Sequence, residues 1–380
     1  MNKKISAVGI GLLVALWVAL TAAAWFGPAE EYSGAERRKL AQAPELSIQS
    51  LLAENKYNRD GSIKEKLSYM TLFEDYSLDQ FPMRDGFRQI KALFHYNVMR
   101  QKDNNDIYIV GDQAAKMLYP LNETMVKGNL SVFDYIQKNY LLKNQCKSFM
   151  AVVPDKGFHL AKNNGYLSLD YDRMFSLVQE GMPWATHIDL TQSLEIADYY
   201  ATDTHWRQEC ILPAAQTISQ ALGVTPPQQA DFTQEQVSDR FYGVYYGQAA
   251  LPMNPEPMYL LRSDLLEGCR VFDVQTKSYT PVYDMEKLSG KDPYDVFLSG
   301  AKAVLRIENP NAATKKNLIV IRDSFGSSMV PLLVQDYATV TVVDLRYVDY
   351  RMLEQFVNFR GAQVLFLFNT QVLNTTPLMG

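Results

Sequence analysis

The chain has 380 residues, of which 47% are hydrophobic and 12% aromatic, and a formal net charge of −5; this is enough apolar material for one large core or a core plus an accessory domain, and it excludes a disordered chain. Basic residues are scattered apart from Arg37, Arg38 and Lys39, so the basic stripe that a phosphate backbone requires is missing and no nucleic-acid partner is expected. Three cysteines without a C-x-x-C pair and four histidines without HxH or HExxH spacing argue against a disulfide scaffold, a zinc ribbon or a histidine-rich metal site, and no cofactor is expected.

In chain order, Lys3 and Lys4 precede an uncharged, mostly apolar run over residues 5–26. At helical rise this run matches a hydrocarbon core of about 30 Å. With the lysines before it and Glu30-Glu31 after it, it predicts a single-pass anchor with the remainder extracytoplasmic. Small residues at Thr21-Ala22-Ala23-Ala24 also permit a cleaved signal peptide, which would leave the protein secreted. Residues 1–28 are thus assigned to a cytoplasmic tip and transmembrane anchor, and 29–104 to a spacer and helical lead-in. The helical pattern from 51 to 100 is broken at Phe81-Pro82-Met83-Arg84, where proline ends one helix and starts the next.

Residues 105–380 alternate short apolar runs with helical patterns. Strands are predicted at 106–111, 148–153, 187–190, 317–321, 339–343 and 363–368, with helices near 327–335 and 347–359. Buried strands joined by helices make an α/β fold with a mostly parallel sheet and helices on both faces. Ligands of such sheets bind beyond the carboxyl ends of the strands. Residues 225–303, rich in Pro, Tyr and Gly, read as an irregular insertion of long loops with a hairpin over that face.

Two segments carry chemistry. The strand at 317–321 runs into Arg322-Asp323-Ser324-Phe325-Gly326, and a serine at a strand-to-helix turn projects its hydroxyl above the sheet edge beside free helix N–H groups. The competing reading, which this motif taken alone favours, is that Asp323 or Ser324 merely caps the next helix. Upstream lies Asp203-Thr204-His205-Trp206. His205 is the best available base for a serine proton, Asp203 could hold its tautomer, and Trp206 could pack on the ring. The competing reading is a capping Asp203 beside an ordinary surface histidine.

Together the two motifs, Asp-x-His-Trp followed by Asp-Ser-Phe, resemble the SGNH-like proteins of alginate O-acetylation and, more strongly, the DHHW family. Weaker likeness extends over 36–44, Asp79-Gln80-Phe81-Pro82-Met83-Arg84, Phe241-Tyr242-Gly243-Val244-Tyr245-Tyr246 and Val343-Asp344-Leu345-Arg346-Tyr347. The chain departs from the pattern with Arg322 in place of Gly before Asp323 and Thr204 in place of a first histidine. The resemblance implies an SGNH-hydrolase-like, flavodoxin-like fold in which Ser324 is the nucleophile, His205 the general base and Asp203 its orienting group. Asn369 is a candidate second oxyanion donor or else a strand-end turn residue, and Arg346 could hold an anionic or hydroxyl-rich substrate or else make a surface salt bridge; Trp206 and Asp323 complete the candidate site. The implied activity is acyl transfer, of acetyl above all, to a cell-surface polysaccharide, with the acyl donor supplied by a multi-pass membrane O-acyltransferase. An esterase with the same three residues and a non-catalytic glycan-binding scaffold are the alternatives.

Overall fold

The computed structural model describes residues 3–57 and 63–378. The chain divides into two compact units, Met1–Gln101 with Ala250–Pro252, and Lys102–Ala249 with Met253–Gly380.

In the first unit, helix α1 (Lys3–Phe26) takes in the apolar run. Among the described residues no helix is long and apolar enough to cross a membrane. The expected transmembrane helix and signal anchor are corrected accordingly, and the single-pass localisation and the membrane as a partner through that helix go with them. Helices α2 (Tyr69–Asp79) and α3 (Arg84–Leu93) flank the expected break, but a short antiparallel pair, Lys56–Tyr57 with Ile63–Glu65, interrupts the helical pattern before them. The 36–44 and Asp79–Arg84 stretches meet in an ionic knot. Arg38 donates to both Asp79 carboxylate oxygens at 2.7 and 2.6 Å, the Ala41 N–H donates to Asp79 at 2.9 Å, and Arg84 and Arg88 pair with Glu36. These motifs therefore tie together segments of the first unit.

The second unit is built on an eight-stranded sheet. Its strands in chain order are β1 (Lys147–Val153), β2 (Thr186–Asp189), β3 (Arg270–Asp273), β4 (Ser278–Thr280), β5 (Val304–Glu308), β6 (Lys316–Arg322), β7 (Tyr337–Val343) and β8 (Ala362–Asn369). The spatial order is β4-β3-β5-β7-β6-β8-β1-β2. From β7 to β2 all neighbours are parallel, and β5, β3 and β4 extend the sheet antiparallel. The expected flavodoxin-like order needs a correction. Counted cyclically from β6, the parallel strands lie second, first, third, fourth, fifth, so the arrangement is a circular permutation of that order. The permutation explains why the histidine loop, which follows β2, precedes the serine turn in the chain. It also places the switch point between β6 and β8, and ligands of open α/β sheets bind beyond the carboxyl edge at such a point.

Alternation along the strands divides the core into two layers. Leu318, Val320, Leu365 and Leu367 pack with Ala214, Ala215 and Ile218 of α6 (Leu212–Leu222) and with Met329 and Val330 of α7 (Gly326–Leu333). Ile319, Ile321, Phe366 and Phe368 face the other way, toward Val126, Leu130 and Phe133 of α4 (Glu123–Ile136) and Met174 and Leu177 of α5 (Tyr171–Gly181). Each fully buried apolar side chain contributes about 1.5–3 kcal/mol of transfer free energy, which holds the strand ends rigid. Helix α6 starts on Pro213 and stops at Gly223, whose φ of 65° is the left-handed cap conformation glycine adopts without strain.

Two predicted elements differ. Residues 106–111 form Ile107–Val110, which pairs with Gln113–Lys116 in a two-stranded hairpin apart from the main sheet. The expected helix at 347–359 is a 3₁₀ segment, Tyr350–Gln355, with Leu353 its one buried residue, too little apolar surface to hold a longer helix. The 225–303 segment is more ordered than expected. Thr233–Phe241 pairs with Glu256–Arg262, and β3 and β4 join the main sheet.

Candidate active site

The site lies where β6 ends. Asp323, fully buried, accepts from the Phe325 N–H at 3.0 Å through one oxygen and from the Asn369 N–H at 2.6 Å through the other. This ties the turn to the end of the neighbouring strand β8. Burial pushes the Asp323 carboxyl above its usual range, against the opposing pull of Arg346 and the two N–H donors. Ser324 follows in a turn closed by the Gly326 N–H on Asp323 O and the Ser327 N–H on Ser324 O. Among the described residues its own N–H has no intramolecular partner.

The loop Tyr199–Trp206 crosses above this turn. It is pinched shut by the Tyr199–Trp206 bridge and the Tyr200 N–H on His205 O. His205 Nε2 lies 2.8 Å from Ser324 Oγ, and Nδ1 lies 2.6 Å from Asp203 Oδ1. Asp203 is fully buried; Oδ1 also accepts from the His205 N–H, and Oδ2 from the Val244 N–H at 2.8 Å. A carboxylate with two N–H acceptor bonds and an imidazole partner is held in one rotamer. The Nδ1 contact requires Nδ1 to carry the proton, which leaves the Nε2 lone pair facing the serine hydroxyl.

Gly243 makes the close approach possible. A Cβ there would lie 2.2 Å from Asp203 Cβ and 2.4 Å from Thr202 O, so the Phe241-Tyr242-Gly243 stretch seats the aspartate. The ring stacked on the imidazole is Tyr294, at 3.8 Å between centroids and 8° between planes. Trp206 has another task. It is fully buried, packs edge-on to Phe325, and donates Nε1–H to Phe325 O and Ser328 Oγ, joining the histidine loop to the start of α7. The Tyr294 hydroxyl, 2.8 Å from the same Ser328 Oγ, closes the network.

Asn369 caps α8 (Thr370–Thr375) by accepting from the Gln371 N–H, and its amide donates to Val153 O at 3.1 Å. Its side chain thus joins β8 to β1. Arg346 grips Asp344 through Nε and Nη2 at 2.9 and 2.7 Å. The fully buried Asp344 also takes a 3.3 Å contact from Arg322. Arg322, where the family pattern has glycine, is 1% exposed, and its Nη1 donates to Asp323 O. Its Nε and Nη2 have no partner among the described residues, and burial lowers its pKa against the pull of Asp344. Its stem lies along the turn, because a Cβ at Gly326 would meet Arg322 Cβ and Cγ at 2.7 and 2.8 Å.

The sequence motifs pointed to Asp203, His205 and Ser324, and the fold brings all three together. Tyr294 was not legible as a site residue. The only advance signal among the supporting residues was the Phe241–Tyr246 likeness, which contains Gly243. Among the described residues no group of three or more His, Cys, Asp or Glu could hold a metal ion.

A hydrogen-bonded Asp-His-Ser line thus lies over the carboxyl edge of a permuted parallel sheet in an α/β protein. The DHHW protein family model matches residues 182–343, which take in the histidine loop and the serine turn. The chain's fold is shared with a DHHW family protein from Eubacterium siraeum, at TM-score 0.57 and 18% identity over 72% of this chain and 93% of that one. PatB1 of Bacillus cereus gives TM-score 0.58 and 18% identity over 72% and 98%, and a second PatB1 structure carries a sulfonyl adduct. No curated protein sequence matches the chain.

Proposed function

We propose that the protein is an SGNH-type serine acyltransferase that passes an acyl group, acetyl by the family resemblance, to a hydroxyl of a polysaccharide through an acyl-Ser324 intermediate. The observation that carries this reading is the line Asp203 Oδ1, His205 Nδ1, His205 Nε2, Ser324 Oγ, with contacts of 2.6 and 2.8 Å. In the first half-reaction Ser324 Oγ attacks the donor carbonyl and its proton passes to His205 Nε2. The carbonyl oxygen becomes an oxyanion that the free Ser324 N–H can hold, and the proton then goes from Nε2 to the leaving group as its bond to carbon breaks. In the second half an acceptor hydroxyl gives its proton to Nε2 and attacks the ester. Ser324 Oγ leaves and recovers the proton. Asp203 stays ionised throughout and stabilises the imidazolium, while the stacked Tyr294 face favours that cation. PatB1, of like fold, is known with a sulfonyl adduct, and sulfonyl electrophiles report activated nucleophiles, which accords with the reading.

The test uses the full chain with p-nitrophenyl acetate and a fluorophosphonate probe, beside Ser324→Ala and His205→Ala. Nitrophenol release and labelling should fall by about two orders of magnitude or more in both variants, as for groups that act as a unit. Acetylated oligosaccharide formed at the expense of free acetate then assigns transfer. Wild-type protein inert to both reagents would sink the proposal.

A further inference from the structure

A buried lysine lies directly beneath the histidine loop. Lys156, 2% exposed, opens a short helix, Lys156–Leu160, just past the end of β1. Its Nζ donates to three backbone carbonyls of one loop, Tyr200 O at 2.7 Å, Ala201 O at 3.0 Å and Asp203 O at 3.3 Å. The other side of the loop's backbone is held by a carboxylate. Glu256 accepts from the Ala201 and Thr202 N–H groups and the Thr202 hydroxyl at 2.8–2.9 Å. The peptide groups of 200–203 are therefore gripped between an ammonium on their carbonyl side and a carboxylate on their N–H side. Opposed fixed charges of this kind leave the loop one orientation.

The lysine is itself anchored to the serine half of the site. Asp155 caps its helix through the Gly157 N–H at 2.7 Å and accepts from Thr370 Oγ1 at 2.6 Å and the Tyr171 hydroxyl at 3.0 Å. Thr370 follows Asn369, whose N–H binds Asp323 beside Ser324. An unbroken path of short bonds thus runs from the nucleophile turn through β8 and Asp155 to Lys156 and up to the loop of Asp203.

We propose that Lys156 is a positioning residue for the proposed acyl-transfer machinery: its ammonium fixes the backbone of the Asp203–His205 loop so that the imidazole meets Ser324. The inference rests on the reading of Asp203, His205 and Ser324 given above. Burying an ammonium is costly unless it is fully hydrogen-bonded, and no packing need calls for it here, since methionine has similar length and no charge. Burial pushes the Lys156 amine down to about 7, although Glu256, Asp203 and Asp112 pull the other way. Tyr245 faces the ammonium with its ring at 5.8 Å.

The test reads the site in two ways on Lys156→Met, with near-UV circular dichroism as the check of folding. Nuclear magnetic resonance of ¹⁵N-histidine-labelled protein follows the downfield Nδ1 proton that His205 shares with Asp203, whether or not an ester is turned over. Steady-state kinetics with p-nitrophenyl acetate gives kcat and KM separately. In folded Lys156→Met the downfield resonance is lost or moves upfield and kcat falls about 10- to 100-fold, with KM changed less than about threefold, because misplacing a catalytic group by about 1 Å costs of that order. A folded Lys156→Met that keeps both resonance and kcat overturns the inference. If Lys156→Met does not fold, Lys156→Arg decides: folded protein that keeps the resonance supports the clamp, and folded protein that loses it, or failure of both variants to fold, overturns it. If wild type shows no Ser324-dependent turnover while the resonance depends on Lys156, the acyl-transfer reading has failed and the clamp stands.

Discussion

Replacing Asp203 by asparagine isolates one proton. Asp203 Oδ1 accepts from His205 Nδ1 and the His205 N–H, and Oδ2 accepts from the Val244 N–H. An amide of the same shape cannot satisfy both sides. With its oxygen toward His205, the NH₂ faces the Val244 N–H, and a buried donor loses its acceptor at a cost of about 1–3 kcal/mol. With its oxygen toward Val244, the NH₂ faces Nδ1 and the imidazole proton must move to Nε2, so no lone pair remains for the Ser324 hydroxyl. A wrong-tautomer base lowers kcat by about 10⁴, or about 5 kcal/mol on the barrier. Asp203→Asn should therefore fold, with stability lowered by no more than a few kcal/mol by the first-order argument, and lose two to four orders of magnitude in nitrophenol release and fluorophosphonate labelling, roughly. Turnover within about tenfold of wild type in a folded Asp203→Asn protein would refute the role of Asp203 as orienting group.

Gly243→Ala should lower the melting temperature and slow ester turnover together, since the new Cβ would sit 2.2 Å from Asp203 Cβ; overpacking of this kind costs about 1–3 kcal/mol, and an unchanged melting temperature would refute it. Trp206→Phe removes the donor to Phe325 O and Ser328 Oγ, and chemical denaturation should show a loss of about 1–3 kcal/mol. Tyr294→Leu, which deletes the face stacked on His205, should raise the barrier by about 1 kcal/mol, whereas Tyr294→Phe retains most activity; equal rates for the two variants would contradict the stacking argument. For pH, Lys156 has a folded pKa of about 7 against 10.5 when free. Between those values the unfolded chain binds the extra proton, so stability rises with pH across that window and the contribution is lost as pH falls through it. The difference in unfolding free energy between wild type and Lys156→Met should therefore move in favour of wild type from pH 7 to 10 on the same linkage, and a pH-independent difference would contradict the shift.

Local pattern determined a good part of this protein. Apolar runs of five or six residues marked β1, β6, β7 and β8 within a residue or two, because a strand buried on both faces is apolar throughout whatever its partners are. The two motifs pointed to Asp203, His205 and Ser324 because each is a short contiguous segment with a chemical reason for its order. The tertiary structure decided what joins them. His205 and Ser324 are 119 residues apart, and only the strand order, cyclically permuted, explains how the loop after β2 comes to lie over the end of β6. Lys156 reaches carbonyls 44 to 47 residues away, and a lysine destined for burial looks like any exposed lysine in sequence, since nothing in its neighbours records the backbone that will surround it. Tyr294 in the irregular segment carried no period to read. The apolar run near the N-terminus is the converse case: composition alone suggested a membrane span, while among the described residues no helix is long and apolar enough to make one. Sequence thus marks groups whose chemistry is local, and the fold supplies the charges and ring faces, drawn from distant segments, that hold them in place.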